Sequence, residues 1–475
     1  MFDYLVRMDP AEKVNQGVAE KWEVAPDGKS WTFYLRKGIK FQNGEDLKAD
    51  DVKFSLERYI EKIAEYPYIR DSQQSVEIID DYTVRVITKG VHPYYFRWVN
   101  FVPGDQGFIM PKDYVEKVGA DYFSKHPVGS GPYKFVRHVP GDLVEYEAVD
   151  KHYRQTPAFK NLLLIVIPEE ATRVAMMRTG AMDVSDISIE SAGEVQAAGL
   201  RTAVLPLGRH VGVQLYGTLD SRAKGMPLGD IRVRQALSLA INRDEMSRTM
   251  FDGKLGYPMP RAMYQTQPEI DVPYWKAEAA KLYHYDVEAA KKLLNEAGYG
   301  QGATIKMYMY PDQGAPYLDH LAPVIQGYWL KIGVKTNIVP IDGAAFRPMK
   351  RSGPNRNPVD ELVAAGALES CGGNPHPIRS ISGTYWGAQG TTYLLAGGAF
   401  GAEVDGLIDA AYAEPNAAKR FEIVAKLLRM TMDTVTWLDI GTVFGMVGLG
   451  NRVNLDFPTG GLDTISAYLD TATHR

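Results

Sequence analysis

A hairpin between Ala19 and Gly44 constrains this chain more than any other stretch. Pro26-Asp27-Gly28 reads as its turn: proline fixes φ, the aspartate bonds its own backbone, and glycine accepts positive φ. Beyond the turn, Trp31, Phe33 and Leu35 alternate with Thr32, Tyr34 and Arg36. A period of two marks a strand with one buried face. At 475 residues the chain is too long for one core, so two or more domains are expected.

Helices and strands then alternate, which predicts α/β architecture. Asp50 and Asp51 open a helix over 50–64, where carboxylates suit the positive end of the dipole. Val76–Ile79 and Thr83–Ile87 flank Asp80-Asp81-Tyr82 as a second hairpin. Lys134–Arg137 pairs with Leu143–Tyr146. Leu162–Ile167 reads as a buried strand, Thr172–Arg178 as a helix and Val204–Leu207 as another strand. Asp230 caps a helix with the stripe Ile231, Val233, Ala236, Leu237, Ala240 and Ile241. Asp286 caps Val287–Ala297, and Gly298 stands where a C′ glycine belongs. Thr304–Tyr310 and Val334–Ile338 are strands around the helix Tyr317–Ile332. Asn416 caps a late helix carrying Arg420, Phe421, Val424, Leu427 and Leu428.

Residue by residue, the hairpin resembles the signature of the family 5 extracytoplasmic solute-binding proteins, receptors that feed ABC importers. The matching positions are Ala19, Trp22, Asp27, Gly28, Thr32, Phe33, Leu35, Arg36, Gly38, Phe41 and Gly44, continuing through Ala49–Arg58. Val128-Gly129-Ser130-Gly131-Pro132-Tyr133 and Val233–Arg243 are similar to further family signatures. The resemblance implies a two-lobed periplasmic-binding-protein-like fold of the large type with an extra subdomain and two interlobe crossovers. Lobe I is expected over 1–257, including a small subdomain at about 45–165, and lobe II over 258–438. Residues 439–475 then return to lobe I. The crossings are expected in the Pro- and Gly-rich stretch Gly253–Pro260 and near Asp439-Ile440-Gly441. Met1–Val6 corresponds to the family's first helix. The signal peptide and short first strand that precede it in an exported receptor are expected upstream, removed by trimming or by a late start codon. Also implied are an extracytoplasmic or periplasmic location, a membrane permease as partner, a monomer, and hinge closure on a solute.

Composition excludes several other classes. Net charge is −5 with no block of like charges, so no nucleic-acid partner is expected. The single cysteine, Cys371, forms no internal disulfide or thiolate zinc site and reads as a buried inert thiol. No run of about 18 apolar residues is present. There is no His-Glu-x-x-His, no Gly-x-Ser-x-Gly and no Walker loop. Gly129-Ser130-Gly131 lacks the trailing lysine of a phosphate cradle, so turn geometry explains it. Asp183 and Asp186 have no spacing rule tying them to acid–base work. No enzyme activity, metal site or cofactor is expected.

The informative segment is Glu361–Gly390. Peptide receptors of the family carry Gly-Trp-x-x-Asp-Tyr-x-Asp-Pro here, and the first Asp of that motif meets the peptide ammonium. This chain has Gly366-Ala367-Leu368-Glu369-Ser370-Cys371-Gly372-Gly373-Asn374-Pro375. Ser370 replaces the key Asp. A buried ammonium without a countercharge costs several kcal/mol. An ordinary free-N-terminus peptide is therefore a poor ligand unless Glu369 takes the role. His376, Arg379, Tyr385 and Trp386 follow, a set that suits an organic anion, an aromatic compound or a modified peptide. Against this, Arg379 also reads as a surface charge and Trp386 as a core residue. Arg209 and His210 are candidates from the first lobe, with a satisfied or exposed histidine as the plainer reading. A nickel-type metal-chelate receptor of the same fold is the alternative.

Overall fold

The structure is a computed structural model. It describes the chain apart from residues 9–13, 61–71, 93–94, 96–98, 100–106, 206–207, 262, 264–271, 311, 313–314, 316, 351–359, 373–397, 458–464 and 466–467. The chain divides into two compact units, Met1–Leu205 with Met446–Arg475, and Pro206–Gly445.

The first unit begins with β1 (Val6–Met8) and β2 (Val14–Gln16), paired antiparallel. Met1–Val6 is thus not the helix expected. Tyr4, Leu5 and Val6 are buried in succession, and the Tyr4 and Leu5 carbonyls accept the N–H groups of Val18 and Ala19 at 2.9 and 2.8 Å. Extended backbone meets those partners; a helix would turn its carbonyls inward.

β3 (Ala19–Val24) and β4 (Ser30–Leu35) form the predicted hairpin, with β5 (Gln73–Asp80) and β6 (Thr83–Thr88) completing a sheet of order β3-β4-β6-β5. Trp31, Phe33 and Leu35 are buried, as their alternation predicts. Gly28 takes φ +68°, and Lys29 N–H donates to Asp27 Oδ1 at 3.0 Å. The helix Ala49–Arg58 follows with Asp50 and Asp51 in its first turn. Asp51 is buried and accepts from the N–H groups of Lys48 and Lys112, at 2.9 and 2.8 Å.

A second antiparallel sheet holds β7 (Tyr133–Val139), β8 (Leu143–Ala148) and β9 (Asn161–Ile165). The sequence predicted β9 as buried. It is an edge strand instead, and Leu163 and Leu164, which point to opposite faces, are both exposed. The Gly129-Ser130-Gly131 loop owes its composition to close approach, since a Cβ on Gly131 would lie 2.5 Å from the Met1 carbonyl oxygen. The helix Glu170–Thr179 leads to β10 (Val184–Ile187), and β11 (Arg201–Val204) follows. The returning β17 (Met446–Leu449) lies between β10 and β11, antiparallel to both. That central position ties the chain's last thirty residues into the first unit. Asp183 and Asp186 pair with Arg452 and Arg173.

The second unit is built on a five-stranded sheet of order β14-β13-β15-β12-β16. Its strands are β12 (Arg209–Tyr216), β13 (Ala303–Met309), β14 (Val334–Pro340), β15 (Ala365–Cys371) and β16 (Trp437–Val443). β13 runs parallel to β14 and β15, and β12 antiparallel to β15 and β16. Asp230, Asp286 and Asn416 cap the helices Ile231–Leu239, Val287–Glu296 and Ala417–Asp433 as predicted, and Gly298 takes φ +85°. Ile231 leaves the predicted stripe and is exposed.

The unit boundaries fall at Leu205/Pro206 and Gly445/Met446, whereas the sequence placed them at 257/258 and 438/439. β12 explains the first difference, because pairing on both sides fixes it in the second unit's sheet. Gly253–Pro260 is a loop folded onto β16: Gly256 N–H donates to Thr442 O at 2.8 Å and Thr442 N–H returns a bond at 3.2 Å. Gly441 at φ +156° lets that loop approach, since a Cβ there would lie 2.4 Å from Gly256 O.

Candidate solute-binding site

β15 carries the segment that the sequence singled out, and six of its seven residues are buried. Glu369 stands opposite Gly212 and Ser370 opposite Val211 in the β12 register. Strand alternation therefore sends the two side chains to opposite faces of the sheet.

On the Glu369 face, Tyr216 O–H donates to Glu369 Oε1 at 2.6 Å, and Lys350 Nζ donates to the same oxygen at 3.1 Å. Arg261 Nη2 lies 3.6 Å from Oε2, which has no hydrogen-bond partner. Arg261 also donates to Gln214 Oε1, and its guanidinium stacks 4.4 Å from the Trp437 ring centroid. Lys350 closes the helix Gly343–Lys350 one turn after Phe346, with Nζ 5.5 and 5.6 Å from the Tyr310 and Phe346 rings. Glu369 is 1% exposed. Burial alone would push its carboxyl up, but Lys350, Arg261 and the Tyr216 hydroxyl outweigh burial and hold it below the usual carboxylate range. Burial raises the neighbouring Cys371 thiol, and its side chain is half-buried rather than buried as expected.

On the Ser370 face, Arg209 Nε donates to Ser370 Oγ at 2.7 Å and Arg209 Nη2 to Asp312 Oδ2 at 3.2 Å. The structure thus puts a guanidinium beside Ser370. His210 follows Arg209 at the start of β12; β11 ends at Val204, and residues 206–207 of the strand expected over Val204–Leu207 lie outside the described residues. The His210 ring is fully buried, with Nδ1 3.3 Å from Asp439 Oδ1 and Nε2 against the Met263 carbonyl oxygen. Asp439 also accepts from Met259 N–H at 2.7 Å and Trp437 Nε1 at 3.0 Å. His210 is therefore a satisfied core histidine.

Of the predicted residues, Glu369, Ser370 and Arg209 come together around β15, while His376, Arg379, Tyr385 and Trp386 lie outside the described residues. Sequence reasoning missed Lys350, Arg261 and Tyr216. The i, i+4 spacing of Phe346 and Lys350 was the one local signal, and it did not reveal the strand they face. Among the described residues no group of three His, Cys, Asp or Glu is placed to hold a metal, and no helix is long and apolar enough to cross a membrane.

Solved structures share this architecture. The solute receptor MoaA of A. tumefaciens R10, in complex with mannopinic acid, superposes with a TM-score of 0.81 at 23% identity, over 100% of this chain and 93% of that one. This likeness defines a two-lobed binding-protein fold. The chain belongs to the bacterial extracellular solute-binding proteins, family 5, whose model matches residues 13–357. It is the substrate-binding component of an ABC importer. Heme-binding protein A of Haemophilus influenzae is 26% identical over 475 residues, covering 93% of this chain and 81% of the relative. The dipeptide-binding protein of Escherichia coli is 28% identical over 375 residues, covering 72% of this chain and 66% of the relative. These relatives are solute-binding proteins rather than enzymes.

Proposed function

We propose that the protein captures a small organic solute without a free α-ammonium group and hands it to a membrane permease, from an extracytoplasmic or periplasmic location. One observation carries the reading. The only carboxylate within β15, Glu369, is buried and already held by Lys350, Arg261 and Tyr216. The next residue is Ser370, bonded to Arg209. An incoming ammonium would meet cations here and would have to break a buried ion pair, a change that costs about 3–5 kcal/mol. The same positions favour a carboxylate or another electron-rich group. Relatives and neighbours of the family bind dipeptides, heme and mannopinic acid by their names, so the fold admits each class and the charges discriminate among them.

Thermal-shift titration tests this with Ala-Phe, N-acetyl-Ala-Phe and benzoate as probes. A ligand at 100 times its Kd adds about 2.7 kcal/mol of apparent stability. The expected result is stabilisation by benzoate or the acetylated peptide and none by Ala-Phe. Tight binding of Ala-Phe would overturn the reading and return Glu369 to the ammonium role. Stabilisation by a nickel chelate alone would favour the chelate receptor.

A further inference from the structure

The carboxyl ends of the parallel strands β13 and β15 gather a second set of polar groups, apart from the Glu369 network. In an α/β sheet that end is where ligands bind. Ser370 is the last residue but one of β15. β12 runs the other way, so Arg209, its first residue, stands at the same end, and His210 pairs with Cys371 in the register. Asp312 and Tyr317 come from the segment that leads from β13 to the helix Leu318–Leu330. Tyr317 is the N-cap of that helix, and its ring packs edge-on against Phe251 with centroids 5.4 Å apart.

The hydrogen bonds at this end leave two hydroxyl protons without an acceptor among the described residues. Ser370 Oγ accepts from Arg209 Nε at 2.7 Å, so the serine keeps its own proton to give. Tyr317 Oη is buried, with Arg209, Ser370 and Asp312 as its polar neighbours, and has no hydrogen-bond partner. Burial pushes this phenol up, so it stays protonated and is a donor. A buried hydroxyl left unbonded is unfavourable, and what this one lacks is an acceptor. Arg209 polarises the serine O–H towards donation and disfavours a cation beside it. Asp312 lies 3.2 Å from Arg209 Nη2, so recognition falls to the two hydroxyls rather than to a net charge. A carboxylate oxygen suits two neighbouring donors better than an amide carbonyl does, because charge-assisted bonds are the stronger.

We propose that Tyr317 and Ser370 determine specificity by donating together to a carboxylate that the solute carries, with Arg209 as the residue that positions the serine hydroxyl. This deepens the reading above and rests on it.

The test uses the full chain, with benzoate and N-acetyl-Ala-Phe as carboxylate probes compared with chloride at equal ionic strength. Wild-type protein is expected to gain thermal stability with them. Tyr317→Phe removes one donor and keeps the ring against Phe251; it is expected to weaken their binding about tenfold or more. Without ligand it is expected to melt no lower than wild type, because the hydroxyl it loses is bonded to nothing. Ser370→Asp keeps a partner for Arg209 but sets a carboxylate against that of the solute, and binding of both probes is expected to disappear. A clear drop in the unliganded melting temperature of Tyr317→Phe would show the hydroxyl paired within the fold and overturn the proposal. Equal affinity for the carboxylate probes in wild type and either variant would overturn it while leaving the organic-solute reading standing. A wild type that neither carboxylate probe stabilises would overturn it as well, and the reading above falls with it where Ala-Phe binds tightly instead.

Discussion

Each unit buries an ionic network, and the two are built on different terms. In the first unit, Asp3 Oδ2 meets His152 Nε2 at 3.0 Å and Ser130 Oγ at 3.3 Å, and Arg154 bridges Asp3 and Asp470 at 3.5 and 3.1 Å. Four segments distant in sequence meet there, and the buried Met1 N-terminus and Arg7 share the field of Asp3 and Asp470. In the second unit, two cations converge on Glu369. The first arrangement ties the start of the unit to its end through Arg154. The second gathers around one central strand, with Glu369 of β15 as the carboxylate.

The sharpest way to break this comparison is Glu369→Gln. It removes the buried carboxylate that Arg261 and Lys350 share, so a loss of about 3–5 kcal/mol is expected by denaturant unfolding. Adding Lys350→Met should recover part of that loss, and strict additivity of the two changes would refute the coupling.

Asp51 gives the next largest effect and a different sign of behaviour. It has two backbone donors but no cation, and burial pushes its carboxyl up to about 6. A carboxyl raised in the folded state contributes stability that is fully present below its ordinary value near 3.8 and lost as pH rises through about 6. The contribution is about 2–3 kcal/mol at 1.36 kcal/mol per pH unit. The stability difference between wild type and Asp51→Asn, followed from pH 3.5 to 7.5, should show that slope; a flat difference would disprove it.

Asp3→Asn should cost less than Glu369→Gln, about 2 kcal/mol, since Arg154 keeps Asp470 as a partner. If it proved the costlier of the two, the ranking of the two networks would be reversed. The smallest effect concerns Ala364, half-buried at φ +52° just before β15. Ala364→Gly should stabilise by about 0.5–1 kcal/mol by relieving left-handed strain, measured as a shift in midpoint denaturant concentration.

The sequence by itself determined the local elements. The Trp31-Phe33-Leu35 face, the caps at Asp230, Asp286 and Asn416, and the glycine at 298 follow from period, capping and backbone freedom, all of which are properties of neighbours along the chain. It also determined the family, through a signature that continues from the hairpin into the first helix, and the substitution at Ser370. Tertiary structure alone decided the rest. The Gly253–Pro260 stretch looked like a crossing because composition marks a loop but not what the loop packs against; β12, placed between β15 and β16, moved the boundary to Leu205/Pro206. β9 looked buried because an apolar run does not say whether its strand is central or at an edge. The partners of Glu369 were not legible, because Tyr216, Arg261 and Lys350 lie 153, 108 and 19 residues away along the chain. Charge balance is a sum over spatial neighbours, and only folding chooses them.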